Sequence, residues 1–197
     1  VFLLLIATAA IAPGLEITEL DVRVNYDDAY VYRLEDKDRI DSTTVSLGNN
    51  SKIDADILPG SNVTFTIRVE NTFTGDFDLR NVFATITIEE IDDGADLDEE
   101  GLDFDLESGN DFRSDIVFHI PLDVEEGTYD VIIDVQADGK NGTSHNTEKA
   151  FKLQVSKQPH DIRITKILLN PSTVDCDRKA RLTAEIMNVG RNAEEQI

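Results

Sequence analysis

The sequence has no tryptophan, one cysteine and one methionine in 197 residues, and aromatic residues make up only 7% of it. The single cysteine, Cys176, excludes an internal disulfide framework and a thiolate zinc site, since both need several cysteines; it reads as a buried free thiol. So few rings give no stacking platform for sugars or bases. Positive charge is scarce as well: 18 Lys and Arg stand against 40 Asp and Glu, a formal net charge of −22. Neutralising phosphates needs the opposite balance, which excludes nucleic acid as a partner and docking on anionic lipid. No segment carries an amphipathic helical stripe. No Gly-rich phosphate loop or nucleophile elbow occurs. His119, His145 and His160 lack metal-ligand spacing. Acids are so widespread that no pair stands out as the two carboxylates of a glycoside hydrolase. No catalytic residue is expected, and the chain reads as a non-enzyme.

What the chain does have is alternation. Hydrophobic residues make up 40%, enough for a core, and they recur with period two. Val63, Phe65, Ile67 and Val69 alternate with Thr64, Thr66, Arg68 and Glu70. Ala84, Ile86 and Ile88 repeat the pattern, as do Ile116, Phe118 and Ile120, then Tyr129, Val131, Ile133 and Val135, then Phe151, Leu153 and Val155. Each set puts its apolar side chains on one sheet face. Turn signals such as Leu58-Pro59-Gly60-Ser61, Asp92-Asp93-Gly94 and Glu125-Glu126-Gly127 separate the runs. Several one-sided strands at this spacing predict an all-β, immunoglobulin-like β-sandwich.

The first twelve residues, Val1 to Ala12, are apolar and end in small residues before Pro13-Gly14. The run is shorter than the roughly 20 residues that span a bilayer and resembles the apolar region and cleavage zone of a secretory signal. It has no initiator Met and no basic region, so residues 1–14 are expected to be a signal-peptide remnant. Asn49, Asn62 and Asn141 each begin an Asn-x-Ser/Thr glycosylation acceptor. Together these features predict an extracellular or cell-surface location, with membrane attachment only through an anchor outside this sequence.

A repeat runs through the chain. Leu15-Glu-Ile-Thr-Glu-Leu20 parallels Ile162-Arg-Ile-Thr-Lys-Ile167, and Phe65-Thr-Ile-Arg-Val-Glu-Asn71 parallels Leu182-Thr-Ala-Glu-Ile-Met-Asn188. The predicted organisation is a first sandwich over 15–156, a linker over 157–160, and the start of a second, incomplete module over 161–197. The first copy carries extra length between Asn25 and Pro59, whose role the sequence leaves open; Tyr26, Tyr30 and Tyr32 cluster there.

Asp161 to Ile167, Asn170-Pro171, and Leu182 to Gly190 with its closing Asn-x-Gly resemble the CARDB family of cell-adhesion-related β-sandwich domains. Pro59-Gly60 leading into the Val63 strand, and Gly127-Thr-Tyr129, are similar to the Ig-like repeats of archaeal S-layer-related proteins. The resemblance implies surface display, adhesion or envelope scaffolding, with other surface proteins or further Ig-like repeats of the same chain as partners. It supplies no catalytic residues.

One local run raises a cofactor. From Asp96 to Glu107, read as a twelve-residue calcium loop, Asp96, Asp98 and Glu100 take positions one, three and five, Gly101 the turn, and Glu107 the closing bidentate position. Asp103 at the usual aliphatic position and the lack of flanking helices count against it, and the competing reading is a solvated acidic loop. Ca²⁺ is the one cofactor considered. The expected function is a structural or adhesive spacer; the alternatives are a Ca²⁺-dependent binding module and an accessory domain of a larger secreted enzyme.

Overall fold

The computed structural model describes residues 14–26, 40–48, 50–101, 103–171 and 179–194. The described residues form twelve strands and no helix: β1 (Leu15–Asn25), β2 (Ile40–Thr44), β3 (Ser51–Ile57), β4 (Asn62–Asn71), β5 (Leu79–Asp92), β6 (Ala95–Glu100), β7 (Phe104–Leu106), β8 (Asp111–His119), β9 (Gly127–Gly139), β10 (Ser144–Val155), β11 (Ile162–Asn170) and β12 (Arg181–Asn188). They make a four-stranded sheet in the order β2-β1-β4-β8, a six-stranded sheet β3-β10-β9-β5-β6 with β7 also on β5, and a two-stranded ribbon β11-β12.

The two larger sheets pack face to face as a β-sandwich. From the first sheet, Val63, Phe65, Ile67 and Val69 point inward with Leu20, Val22, Val24 and Phe118. From the second come Ile86, Ile88, Val131, Ile133, Phe151 and Leu153. All are buried and belong to one cluster, so the alternation maps onto a single core. Phe65 and Phe118 meet edge to face, centroids 5.6 Å apart. One break in the alternation has a clear cause: Ile17 and Leu20 are three apart, yet both are buried, because the β1–β4 register shifts between Ile17 and Glu19 and the bulge restores the phase.

The described residues of the Asn25–Pro59 segment are part of the sandwich. β2 extends the first sheet beside β1, and β3 extends the second by pairing parallel with β10. Between them Val45 is buried, as are Ile53 and Ile57 of β3, so the segment crosses from one sheet to the other and closes that side. Tyr26 packs partly buried against the core; Tyr30 and Tyr32 lie outside the described residues.

Two local devices hold the ends of the sandwich. Tyr129 donates its hydroxyl to the Glu125 carbonyl at 2.9 Å, a tyrosine corner that explains the Gly127-Thr-Tyr motif. Burial first, and the nearby Glu125 charge second, push this phenol upward from its ordinary pKa. At the other device, Asn71 is fully buried. Its amide donates to the carbonyls of Phe77 at 2.9 Å and Leu106 at 3.0 Å, and its oxygen accepts the Phe73 N–H at 3.1 Å. One side chain thus ties the end of β4 to the strands of the opposite sheet.

Candidate functional site

The region with the most specific construction is the junction between the sandwich and the β11–β12 ribbon. Leu58-Pro59-Gly60-Ser61 forms a tight turn, with Ser61 N–H on Leu58 O at 3.2 Å and Gly60 at φ +77°, the type II position that favours glycine. A Cβ on Gly60 would lie 2.7 Å from Leu122 Cδ2 and 2.9 Å from Arg163 Nη1. The missing side chain therefore lets the guanidinium of β11 sit against the turn. Arg163 is 8% exposed, as is Asp161, and Nη2 donates to Asp161 Oδ2 at 3.1 Å. A pair this dry needs both members, because either one alone would be an uncompensated buried charge.

The ribbon's far strand returns to the same place. Val189 and Gly190 N–H groups both donate to Asp161 O, Arg191 N–H donates to Gln158 O, and Asn192 N–H donates to Pro159 O. A Cβ on Gly190 would stand 2.6 Å from the Asp161 nitrogen, which gives the closing Asn-x-Gly motif its physical reason. Outside this knot, Arg191 pairs with Glu126 of the β8–β9 loop at 3.0 Å, and His160 Nδ1 lies 2.7 Å from Glu194. Two of these backbone bonds tie Gln158 and Pro159 to the end of the ribbon, while Arg163 against Gly60 and Arg191 on Glu126 bring the ribbon against the sandwich.

The acidic run takes a different shape from the expected loop. Asp96, Asp98 and Glu100 lie on the extended strand β6, while Glu107 sits in the turn after β7. Along a strand, Asp96 and Glu100 are about 13 Å apart, whereas calcium needs its oxygens within about 2.6 Å of one point. Asp96 instead accepts the Glu90 N–H at 2.8 Å, where Glu90 has φ 56°. Asp98 accepts the Thr87 hydroxyl at 2.5 Å, and Glu107 accepts from Asn110 at 3.3 Å. The four do not converge, and no group of three or more His, Cys, Asp or Glu side chains among the described residues is placed to hold a metal ion. β6 is also the outer strand of its sheet, so its carboxylates line an exposed edge, where like charge opposes pairing with another chain.

The other singled-out residues are dispersed. Asn62 Oδ1 meets His119 Nδ1 at 2.9 Å. Asn141 is exposed in the β9–β10 turn, its oxygen accepting from Thr143 N–H at 3.1 Å and Thr143 Oγ1 at 2.6 Å. Asn49, Cys176 and the apolar start fall outside the described residues. Among the described residues no helix is long and apolar enough to cross a membrane.

No family model matches the chain, and no curated protein matches it. Solved structures do. The C-terminal domain of Wzt aligns over 75% of this chain and 76% of its own, at 14% identity and a TM-score of 0.44. A PapD-like domain of human CEP192 aligns over 55% and 82%, at 17% identity and a TM-score of 0.37. Spo0M of Bacillus subtilis aligns over 59% and 56%, at 15% identity and 0.33. The sheets themselves establish the immunoglobulin-like sandwich.

Sequence reasoning missed the junction and also the outer face of the four-stranded sheet. Arg68 binds Asp111 through two hydrogen bonds, 2.8 and 2.9 Å, and Arg113 meets Glu19 at 2.6 Å. The Arg68 hydrogen bonds hold the Asp111 carboxyl below its usual range. Beside them Thr44 donates to Asp21 and Thr66 to Asp115, both at 2.6 Å. The signal was present in the outward-facing alternates of β1, β4 and β8, read in the paired register.

Proposed function

We propose that this chain is a non-catalytic, β-sandwich module of a secreted or cell-surface protein, working as a spacer and protein–protein interaction element. The observation that carries the reading is the junction. A linker whose Gln158 and Pro159 carbonyls are pinned to the ribbon by Arg191 and Asn192, beside an Arg163 packed against Gly60 of the sandwich and an Arg191 paired with Glu126, suits a protein that must hold successive modules at a set spacing. A flexible tether needs none of these contacts. The signal-like start, the exposed Asn141 acceptor and the resemblance to CARDB and S-layer-related repeats support display outside the cell. The net charge of −22 supports solubility at high local density.

The test is location together with rigidity. On intact source cells the protein should be labelled by a membrane-impermeant amine reagent. In the purified protein, NMR relaxation should give the ribbon and the sandwich one common tumbling time. A protein found only in the cytosolic fraction, or turnover of glycan or peptide substrates at enzyme-like rates, would refute the proposal.

A further inference from the structure

The ribbon leaves a row of apolar side chains open on one face. By the β11–β12 register, Ile164 faces Ile186, Ile167 faces Ala184 and Leu169 faces Leu182. Leu182 is 67% exposed and Ile186 54%. The other face is mixed: it carries the Lys166–Glu185 ion pair at 3.0 Å, Thr183 opposite an exposed Leu168, and Met187 opposite Arg163, which packs into the junction.

This ribbon reproduces the β1–β4 pair of the sandwich bond for bond. In β1–β4, Ile17 pairs with Val69, the register slips at Thr18, Glu19 pairs with Arg68, Leu20 with Ile67 and Val22 with Phe65. In β11–β12, Ile164 pairs with Ile186, the register slips at Thr165, Lys166 pairs with Glu185, and the two further apolar pairs follow. At each slip the threonine hydroxyl reaches the opposite carbonyl at 3.4 Å: Thr18 to Arg68, and Thr165 to Glu185. Past each strand end the same backbone bond forms, Thr72 N–H to Gly14 O and Val189 N–H to Asp161 O. Asn71 and Asn188 each accept the N–H two residues on, at 3.1 and 3.0 Å. Even the outward ion pair recurs with its signs exchanged, Glu19–Arg68 and Lys166–Glu185.

The difference lies in what covers the inner face. Phe65 and Ile67 are wholly buried and Val69 nearly so, beneath the sheet that contains β5, β9 and β10. The matching positions Leu182, Ala184 and Ile186 have no such layer among the described residues. Deepening the tandem-module reading on which it rests, we infer that the open face of β11–β12 is the inner half of a second core. Its occupant is a β-sheet of alternating apolar strands carried further along the same polypeptide, the counterparts of β5, β9 and β10. In the first copy the chain crosses from Asn71 to the opposite sheet at Leu79. Asn188 then takes the role of Asn71, since its amide, now on Asn192 O at 2.7 Å, matches the one that stitches β4 to the opposite sheet.

Site-directed thiol labelling tests this. With Cys176→Ser as background, Ile186→Cys reports the inner face and Thr183→Cys the outer face. Both are made in the 197-residue segment and in the full natural gene product. In the segment both thiols should react freely. In the longer chain Ile186→Cys should be protected about 100-fold or more, as a core position opening only transiently is, while Thr183→Cys stays reactive. Equal reactivity of Ile186→Cys in both chains would overturn the inference. So would protection in the segment alone that grows with protein concentration, which would make the occupant a second copy, and so would a natural chain with no alternating apolar strands after Ile197. None of these outcomes changes the common tumbling of ribbon and sandwich, so the spacer reading fails or stands separately.

Discussion

Asn71 offers a sharp test of how the sandwich is held together. Asn71→Ala removes two donors from the carbonyls of Phe77 and Leu106 and one acceptor from the Phe73 N–H, in a site with no solvent access to the side chain. Each buried group left without a partner costs about 1–3 kcal/mol, so the three together should cost about 3–5 kcal/mol. For a domain of this size each kcal/mol lowers Tm by about 2–4 °C, which puts the expected fall at roughly 6–20 °C. The assay is thermal unfolding by far-UV circular dichroism, with urea denaturation as the second measure of stability. Asn188→Ala, at the equivalent but exposed ribbon position, should leave the same transition within about 0.5 kcal/mol. A loss below about 1 kcal/mol for Asn71→Ala, or equal losses for the two variants, would refute the reasoning.

Three further outcomes are expected. Gly60→Val places a side chain into Leu122 and Arg163 at a positive φ; it should destabilise the protein by about 1–3 kcal/mol and free the ribbon to tumble independently in NMR relaxation. Asp111 titrates below the usual carboxylate range because of Arg68. Its ion pair therefore contributes fully above the ordinary carboxylate pKa and is lost as pH falls through the lower folded value, so carbon-detected NMR should show Asp111 titrating below the ordinary aspartate range, and Arg68→Gln should move it back towards that range. Millimolar Ca²⁺ should leave Tm unchanged, since Asp96 and Asp98 already serve Glu90 and Thr87; a concentration-dependent rise would restore the calcium reading.

The inward strand residues were legible because alternation reports a one-sided sheet directly, as at Val63 to Val69 and Tyr129 to Val135. The repeat was legible too, and the shared bulge at Thr18 and Thr165 explains why both copies break the period at the same step. The Asn25–Pro59 strands were not. Ile-Asp-Ser-Thr-Thr of β2 has almost no apolar signal, and the pairing of β3 with a strand near the end of the sandwich is a long-range fact that local pattern cannot carry. The acidic run could be read two ways: spacing alone fits calcium, whereas Leu97 and Phe104, packed against the core, go with an extended edge. The junction was invisible because the burial of Arg163 depends on Gly60 and Leu122, far off in sequence.

The parallel pairing of β3 with β10 also dictates an order of events. Synthesis delivers Ser51 long before its partner Phe151. Until β10 emerges, Ile53 and Ile57, both fully buried in the finished fold, have no neighbouring strand, because β10 alone joins β3 to β9, β5 and the rest of that sheet. A chain made from its N-terminus therefore keeps an apolar, unpaired strand waiting until almost the whole sandwich has been synthesised. Closing it is the last and most non-local step, so folding should be slow and limited by delivery of the C-terminal strand.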